Sequence, residues 1–468
     1  MTTTRAIEPG DVELRLSAHV AQCRFGDVPA QAVAAAKRSV VDTLAAMLAG
    51  HAAPGIAQMR TLTMQWGGAR EARVVGMPRR CPAPVAAWCH GAMARALELD
   101  DCVDYLPLHP SAATLPALLA IADARPGITG ADLLCALAVA QDIKIRFGLA
   151  VRRNAMQTGR NNSFKIYAAV AGVANALRLP PQTTLAALGL ASSYAVGDGQ
   201  CAIDGSMGLR VQYGNVGQGA VQAALLAAEG VTGPQRFLTG RYGYLQAFEP
   251  DHDMNALTEG LGGRFHGETI SVKPYAACRA THPAIDLALM ARRHIGDGMA
   301  AEVLRVGLRV NPEIDGLVGQ PPSEKAHPGT GPAAQFSLPF TVATALLRGG
   351  FGLEDSQPAA LVDEQVLDLA GRITVAADPQ LRMSSVLGRT CMDVYLRDGQ
   401  SFCFECDLPS GSPHSPASTE GLYRKFQDCL AFSGLGFEAG RADRLFERVQ
   451  RLESLPTASS LIDDFTCT

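Results

Sequence analysis

Gln31-Ala-Val-Ala-Ala-Ala-Lys-Arg-Ser-Val-Val-Asp-Thr-Leu-Ala-Ala-Met-Leu-Ala-Gly50 sets the pattern for most of this chain. Val33, Ala36, Val40, Leu44 and Met47 recur at helical spacing, and Gly50 can end the helix. The same Ala- and Leu-rich texture returns in Pro116 to Ala124, Asp132 to Lys144, Tyr167 to Leu179, Thr183 to Tyr194 and Gly219 to Glu229. So many small residues imply helices packed closely together. The pattern changes after about residue 268. Val303 to Val310 alternates, which predicts a strand with Leu304, Val306, Leu308 and Val310 on one face and Arg305 and Arg309 on the other. Arg372 to Ala376 reads as a second strand. Arg389 to Leu396 and Ser401 to Leu408, joined through Asp398-Gly399, read as a hairpin. Helical segments Pro283 to His294 and Ser337 to Arg348 accompany them. After a Pro- and Ser-rich loop, Pro409 to Pro416, helical spacing resumes in Thr419 to Phe432 and Arg441 to Leu452. The expected fold is therefore mainly α. A large all-helical domain is built from both chain ends, residues 1–268 and 410–468, and a smaller α+β domain, residues 269–409, is inserted in it.

Composition narrows the function classes. With 468 residues, 47% hydrophobic and 18% charged, the chain can bury a large core. A net charge of -4 and the absence of any Lys/Arg-rich run argue against a nucleic-acid partner. The first residues lack the apolar core of a secretory signal, and no apolar run approaches the roughly 18 residues of a membrane span. A cytoplasmic chain without a membrane partner is expected, its 12 scattered cysteines reduced and mostly buried. Cys403-Phe-Glu-Cys406 lies in a strand-like run, where positions three apart face opposite sides, and no second pair completes a metal site.

Two polar runs carry the chemistry. In Ser271-Val-Lys-Pro-Tyr-Ala-Ala-Cys-Arg-Ala-Thr-His-Pro-Ala-Ile-Asp286, Lys273, Cys278, Arg279 and His282 fall close together, and Thr281-His282-Pro283 reads as a helix start. Cations beside free helix N–H groups suit a substrate with several negative charges. The bland alternative is a loop-to-helix junction with solvated cations. In the second run, Glu98-Leu-Asp-Asp-Cys-Val-Asp-Tyr-Leu-Pro-Leu-His-Pro-Ser111, four carboxylates precede His109. A carboxylate–imidazole pair can supply an acid and a base near neutral pH, although a solvated acidic loop before a helix would look alike. Oxygen ligands for magnesium are present there, but at no strict metal-binding spacing. Gly214-Asn-Val-Gly217-Gln-Gly219 has the wrong glycine order for a dinucleotide site, and tight helix packing explains it better. Gln320 to Pro332, with Lys325 and His327, is long enough to form a mobile cover over a site.

These segments, in this order, resemble the MmgE/PrpD superfamily. The resemblance rests on Ala96-Leu-Glu-Leu-Asp-Asp-Cys102, His109-Pro-Ser-Ala112, Gly219 to Gly233 with Thr232-Gly-Pro234, Lys273 to Asp286, Ala334-Gln-Phe-Ser-Leu-Pro339 and Leu422-Tyr-Arg-Lys-Phe426. It implies a helical domain and a smaller α+β domain with a cleft between them, and usually a homodimer. It also implies cofactor-independent proton transfer next to a carboxylate of a small di- or tricarboxylate. A 2-methylcitrate dehydratase-like lyase leads; isomerisation or epimerisation starts with the same step. The resemblance gives His109 the proton, oriented by Asp101 or Glu98. Cys102 or Cys278 is a second acid/base if nearby cations lower its pKa. Lys273, Arg279, His282 and Arg210 stabilise carboxylate charge. This chain departs from the family at several positions. Glu98 and Cys102 stand where the family has Asp and Thr, and Gly159-Arg160 stands in place of a His-Pro pair. Leu209 takes the place of a lysine. Cys278 stands where decarboxylase members have His and dehydratase-like members Cys. Loss of CO2 is therefore less favoured. Arg160 and Asn162 would face a substrate group of a larger or amino-bearing acid in a specialised pathway. A non-catalytic, polycarboxylate-binding member is the remaining alternative.

Overall fold

The computed structural model describes residues 12–466 apart from 154, 297–301, 383–386 and 439. The chain is mainly helical. The principal helices of its first part are α1 (Val12–Gln22), α2 (Ala30–His51), α3 (Ala83–Ala94), α4 (Pro110–Ala124), α5 (Gly130–Ala150), α6 (Lys165–Ala176), α7 (Pro181–Ala191) and α8 (Gly208–Ala228). Their starts follow local chemistry. Thr129 and Asp132 bond reciprocally, side chain to backbone, at 3.1 Å each, which closes a capping box on α5. Pro110 occupies the first position of α4, where its missing N–H costs nothing.

The glycines of Gly214 to Gly219 do not form a loop before a helix; they lie inside α8. A Cβ at Gly217 would stand 2.5 Å from the Ala87 carbonyl oxygen, and a Cβ at Gly91 would stand 2.5 Å from that of Tyr213. Helices α3 and α8 therefore touch backbone to backbone, which only glycine permits.

The second part begins at a short ribbon, in which β1 (Cys102–Val103) pairs antiparallel with β2 (Ile270–Ser271). Next come α9 (His282–Ile295), β3 (Val303–Val310), α10 (Leu338–Arg348), β4 (Ile373–Ala377), β5 (Thr390–Leu396) and β6 (Ser401–Cys406). The four longer strands form one sheet in the order β4-β3-β5-β6, parallel between β3 and β4 and antiparallel elsewhere. The hairpin turns through Gly399 at φ 92°, the left-handed conformation that an Asp-Gly turn needs. Alternation in β3 fails at one position. A bulge between Val303 and Arg305 turns Val303 into the core and leaves Leu304 exposed. Cys403 is exposed and Cys406 half-buried, on opposite faces of β6.

Helices α11 (Thr419–Phe432) and α12 (Arg441–Gln450) return to the first part. Leu422, Phe426, Leu445 and Phe465 are buried in the same core as α1 to α8. A second core joins α9, α10 and the inner face of the sheet. Among the described residues no single helix is long and apolar enough to cross a membrane. Gln320 to Pro332 is not an open loop. It contains the helical turn Pro322–Ala326, which buries Lys325 and lets its Nζ donate to the Phe336 carbonyl at 2.8 Å.

Candidate active site

The β1–β2 ribbon brings the two polar runs together, though they are far apart in sequence. The turn after α3 holds Glu98 at φ 51°, a strained conformation for a residue with a side chain. There Glu98 accepts from Lys273 Nζ, at 3.1 Å to its carboxylate and 2.9 Å to its backbone carbonyl. Arg95 completes the cluster. Its Nη1 pairs with the carboxylate of Glu98 and lies 3.1 Å from Asp100 Oδ1. Its Nη2 donates to His109 Nε2 at 3.2 Å. His109 in turn donates from Nδ1 to the Asp101 carbonyl at 3.0 Å, with Asp100 Oδ2 at 3.1 Å.

Burial first, then Arg95, lowers the His109 pKa to about 4, against the pull of Asp100 in the other direction. The ring is thus a neutral base at neutral pH, with its lone pair on Nε2. Despite burial, the Asp100 carboxyl is held well below its usual range by Arg95, and Glu98 is lowered by Arg95 and Lys273. His109 leaves 16% of its side chain open, whereas Lys273 and Asp100 are fully covered. The imidazole is thus the member of this network that an incoming molecule reaches most easily.

A small pocket, open to solvent on one side, adjoins the network. Arg95 and Glu98 form part of its wall, and Arg210 and Leu209 come from α8. Gln335 and Phe336 come from the segment before α10. Gln335 Nε2 bonds the Leu97 carbonyl at 2.8 Å and the Ala276 carbonyl at 3.1 Å, which ties the two parts of the chain at the cavity wall. Arg210 bonds the carbonyls of Pro54 and Ala96. Two arginines, Arg95 and Arg210, converge on this pocket, which gives it the charge to meet an anion.

The other expected site residues have different surroundings. Asp101 holds α4 in place. Its carboxylate accepts from Ser111 N at 3.0 Å, from Ser39 Oγ at 3.0 Å and from Ser111 Oγ. Only its backbone meets His109, so the carboxylate beside the imidazole is that of Asp100. Arg279 already grips a carboxylate, giving Nε and Nη2 to the two oxygens of Asp104 at 2.8 and 3.0 Å. Its Nη1 donates to Ser410 O at 2.8 Å and to His282 Nδ1 at 3.2 Å. His282 is fully buried and donates from Nε2 to Ala277 O. Burial outweighs the neighbouring cations at both thiols. Cys278 is pushed up to about 11 and Cys102 further still, so neither is poised to trade a proton. Arg160 lies over the Phe248 ring at 4.8 Å and bonds the Phe248 carbonyl. Asn162 donates to Pro107 O at 2.7 Å, bracing the turn before His109.

Arg95, Asp100, Tyr213, Lys144 and Lys165 were not among the expected residues. The Tyr213 ring has Arg95, Lys144 and Lys165 each 5.5 Å from its centroid. Burial lowers the Lys165 pKa to about 7. Arg95 is the only charged residue between Cys81 and Leu97, and a lone charge in an apolar helix was the signal available.

The chain is 26% identical to the cis-aconitate decarboxylase-like protein oryM of Aspergillus oryzae, over 99% of this chain and 98% of that one. It is 25% identical to the cis-aconitate decarboxylase of Aspergillus terreus, over 94% and 93%. It is 24% identical to the cis-aconitate decarboxylase of Homo sapiens, over 94% and 91%. Residues 14–257 match the MmgE/PrpD N-terminal domain and residues 275–451 match the MmgE/PrpD C-terminal domain. With both domains matched in sequence order across nearly its full length, the chain belongs to the MmgE/PrpD family.

Proposed function

We propose that the chain is a lyase that acts on a small di- or tricarboxylate by moving a proton at the carbon next to a carboxylate. The observation that carries this is a neutral His109 set among Arg95, Asp100, Glu98 and Lys273, beside a cavity walled by Arg95 and Arg210. His109 Nε2 takes the proton. The electron pair moves into the carboxylate, and the charge that develops there meets Arg95 and Lys273. The imidazolium formed is offset by Asp100, 3.1 Å from Nδ1. The electron pair then returns from the carboxylate to form the C=C bond. The hydroxyl on the adjacent carbon leaves as water with the proton given back by the imidazolium, which completes a dehydration of the 2-methylcitrate type and restores the neutral base. Returning the proton to the other face gives an isomer.

A second reading, loss of CO2, is favoured by the names of the relatives. The same groups would then protonate the carbanion that CO2 leaves behind. Proton NMR in D2O separates the readings. Purified protein is incubated with 2-methylcitrate, citrate, cis-aconitate, iminodisuccinate and related amino diacids, with His109→Asn and Lys273→Ala as controls. The expected result is conversion, or deuterium entering next to a carboxylate, that disappears in His109→Asn. The signal of the product distinguishes loss of water from loss of CO2. Folded protein that leaves every acid unchanged and undeuterated refutes the assignment.

A further inference from the structure

Arg95 lines the cavity and is 5% exposed, yet among the described residues its Nε finds no hydrogen-bond partner. The rest of the guanidinium is engaged, Nη1 by Glu98 and Asp100 and Nη2 by His109, and the Tyr213 hydroxyl is a further polar neighbour of the group. A buried charged donor without an acceptor is costly, and a ligand that accepts from it recovers that cost. Arg279 displays the completed arrangement within the same molecule, its Nε and Nη2 gripping both oxygens of Asp104. Arg95 carries the same Nε–Nη2 edge, but among the described residues the carboxylates paired with it, Glu98 and Asp100, meet Nη1 instead. A planar carboxylate fits that edge with two parallel bonds.

We propose that the Nε–Nη2 edge of Arg95 is the seat of the substrate's carboxylate, and that seating sets the adjacent carbon against Nε2 of His109. The inference rests on the reading of this site as a carboxylate enzyme and names the residue that anchors the ligand. A carboxylate arriving there accepts from Nε and competes for the Nη2 hydrogen that otherwise occupies the imidazole lone pair. The base is released as the substrate takes its place. The C–H bond then breaks, its proton goes to Nε2, and its electron pair passes into the seated carboxylate. Arg95 is thus both anchor and guard: without a ligand, it masks the base.

Calorimetry with succinate and with cis-aconitate, on the wild type, Arg95→Lys and Arg95→Gln, tests the seat. Two charge-assisted bonds lost correspond to about 100-fold weaker binding in Arg95→Gln. Arg95→Lys keeps the charge without the fork, and should lose at least about tenfold. Nitrogen-15 NMR of histidine-labelled wild type needs no variant to fold. The His109 Nε2 resonance, identified by its loss in His109→Asn, should move saturably as succinate is added. Binding within threefold of wild type in a folded Arg95→Gln overturns the seat and leaves the carboxylate reading standing. A His109 resonance indifferent to saturating ligand also overturns it. If the wild type binds neither acid, the seat and the carboxylate reading fall together.

Discussion

Replacing Asp100 by Asn decides which carboxylate serves the imidazole. Asp100 is fully buried, 3.1 Å from Arg95 Nη1 and 3.1 Å from His109 Nδ1. At an effective dielectric near 20, one such contact is worth about 5 kcal/mol of attraction. Removing one partner of a buried charge network costs roughly 3–5 kcal/mol in practice. Asn keeps the shape and one acceptor, and Glu98 remains on Arg95, so the lower end, about 3 kcal/mol, is expected. Catalysis should suffer through the base. The imidazolium loses its neighbouring negative charge, while the Asp101 carbonyl, 3.0 Å from Nδ1, still fixes the tautomer. General-base catalysis is worth about 10²–10⁴-fold, and with the tautomer preserved the loss in kcat should be near 10²-fold. Asp101→Asn is the matched control. Its amide oxygen can still accept from Ser111 N, so a loss of about 1 kcal/mol and less than tenfold in kcat is expected. Urea unfolding measures the first quantity for both variants. Initial rates on the acid that turns over in the D2O panel, taken well below the unfolding midpoint, measure the second. An Asp101→Asn variant that loses as much kcat as Asp100→Asn would refute the assignment of Asp100 to His109.

Three other perturbations follow from single features. Gly217→Ala drives a Cβ to 2.5 Å from the Ala87 carbonyl, and parting α3 from α8 should cost about 1–3 kcal/mol in urea unfolding. Unchanged stability would mean that the two helices are not in backbone contact. Lys165 has a folded pKa lowered to about 7, so above that pH the folded chain has given up a proton that the unfolded chain still holds. Stability from this group therefore rises between about pH 7 and 10.4, by on the order of 4 kcal/mol, and Lys165→Met should remove that rise in paired urea curves at pH 7 and pH 9.5. Lys425→Met leaves the fully buried Asp42 carboxylate without its cation, and a loss of roughly 3–5 kcal/mol is expected by thermal or urea unfolding. Adding Asp42→Asn should restore part of it, whereas additive losses would show that the pair is not coupled.

Much of this was legible because it is local. Apolar residues at helical spacing marked the helices, Asp398-Gly399 marked the hairpin, and the acid/His and Lys/Arg/Cys/His runs both reach the site region. What escaped depends on contacts between distant segments. Arg279 and Asp104 are 175 residues apart, and nothing in either run shows that one is spent on the other. Arg279 was therefore expected to hold substrate, whereas its Nε and Nη2 pair with Asp104. Arg95 is the one charge in the apolar stretch from Cys81 to Leu97, where no polar cluster calls attention to it, and Lys144 and Lys165 meet it only through the distant Tyr213. The bulge at Val303–Arg305 could not be read either, because alternation in sequence carries no mark of one inserted residue. Asp100 and Asp101 are adjacent, and only the turn geometry decides that one faces the imidazole and the other caps α4.

The way the chain returns on itself explains why a base with this environment can exist at all. Charges this deep are tolerable only when opposite charges and hydrogen bonds offset most of their desolvation. Lys425, on α11 near the end of the chain, bonds the Asp42 carboxylate on α2, the Leu99 carbonyl at 2.7 Å and the Lys273 carbonyl at 2.9 Å. One ammonium thereby joins α2, the acidic turn and the segment after β2 that carries Lys273. Burial, and then Asp42, raise the pKa of Asp101, so α11 also bears on the turn that carries His109. A site drawn from α2, the turn after α3, the start of α4, the β2 segment and α11 has no local sequence that could hold its charges alone. Closing the helical part around the inserted part therefore assembles the charge balance that keeps His109 neutral beside Arg95, and fold and chemistry depend on the same contacts.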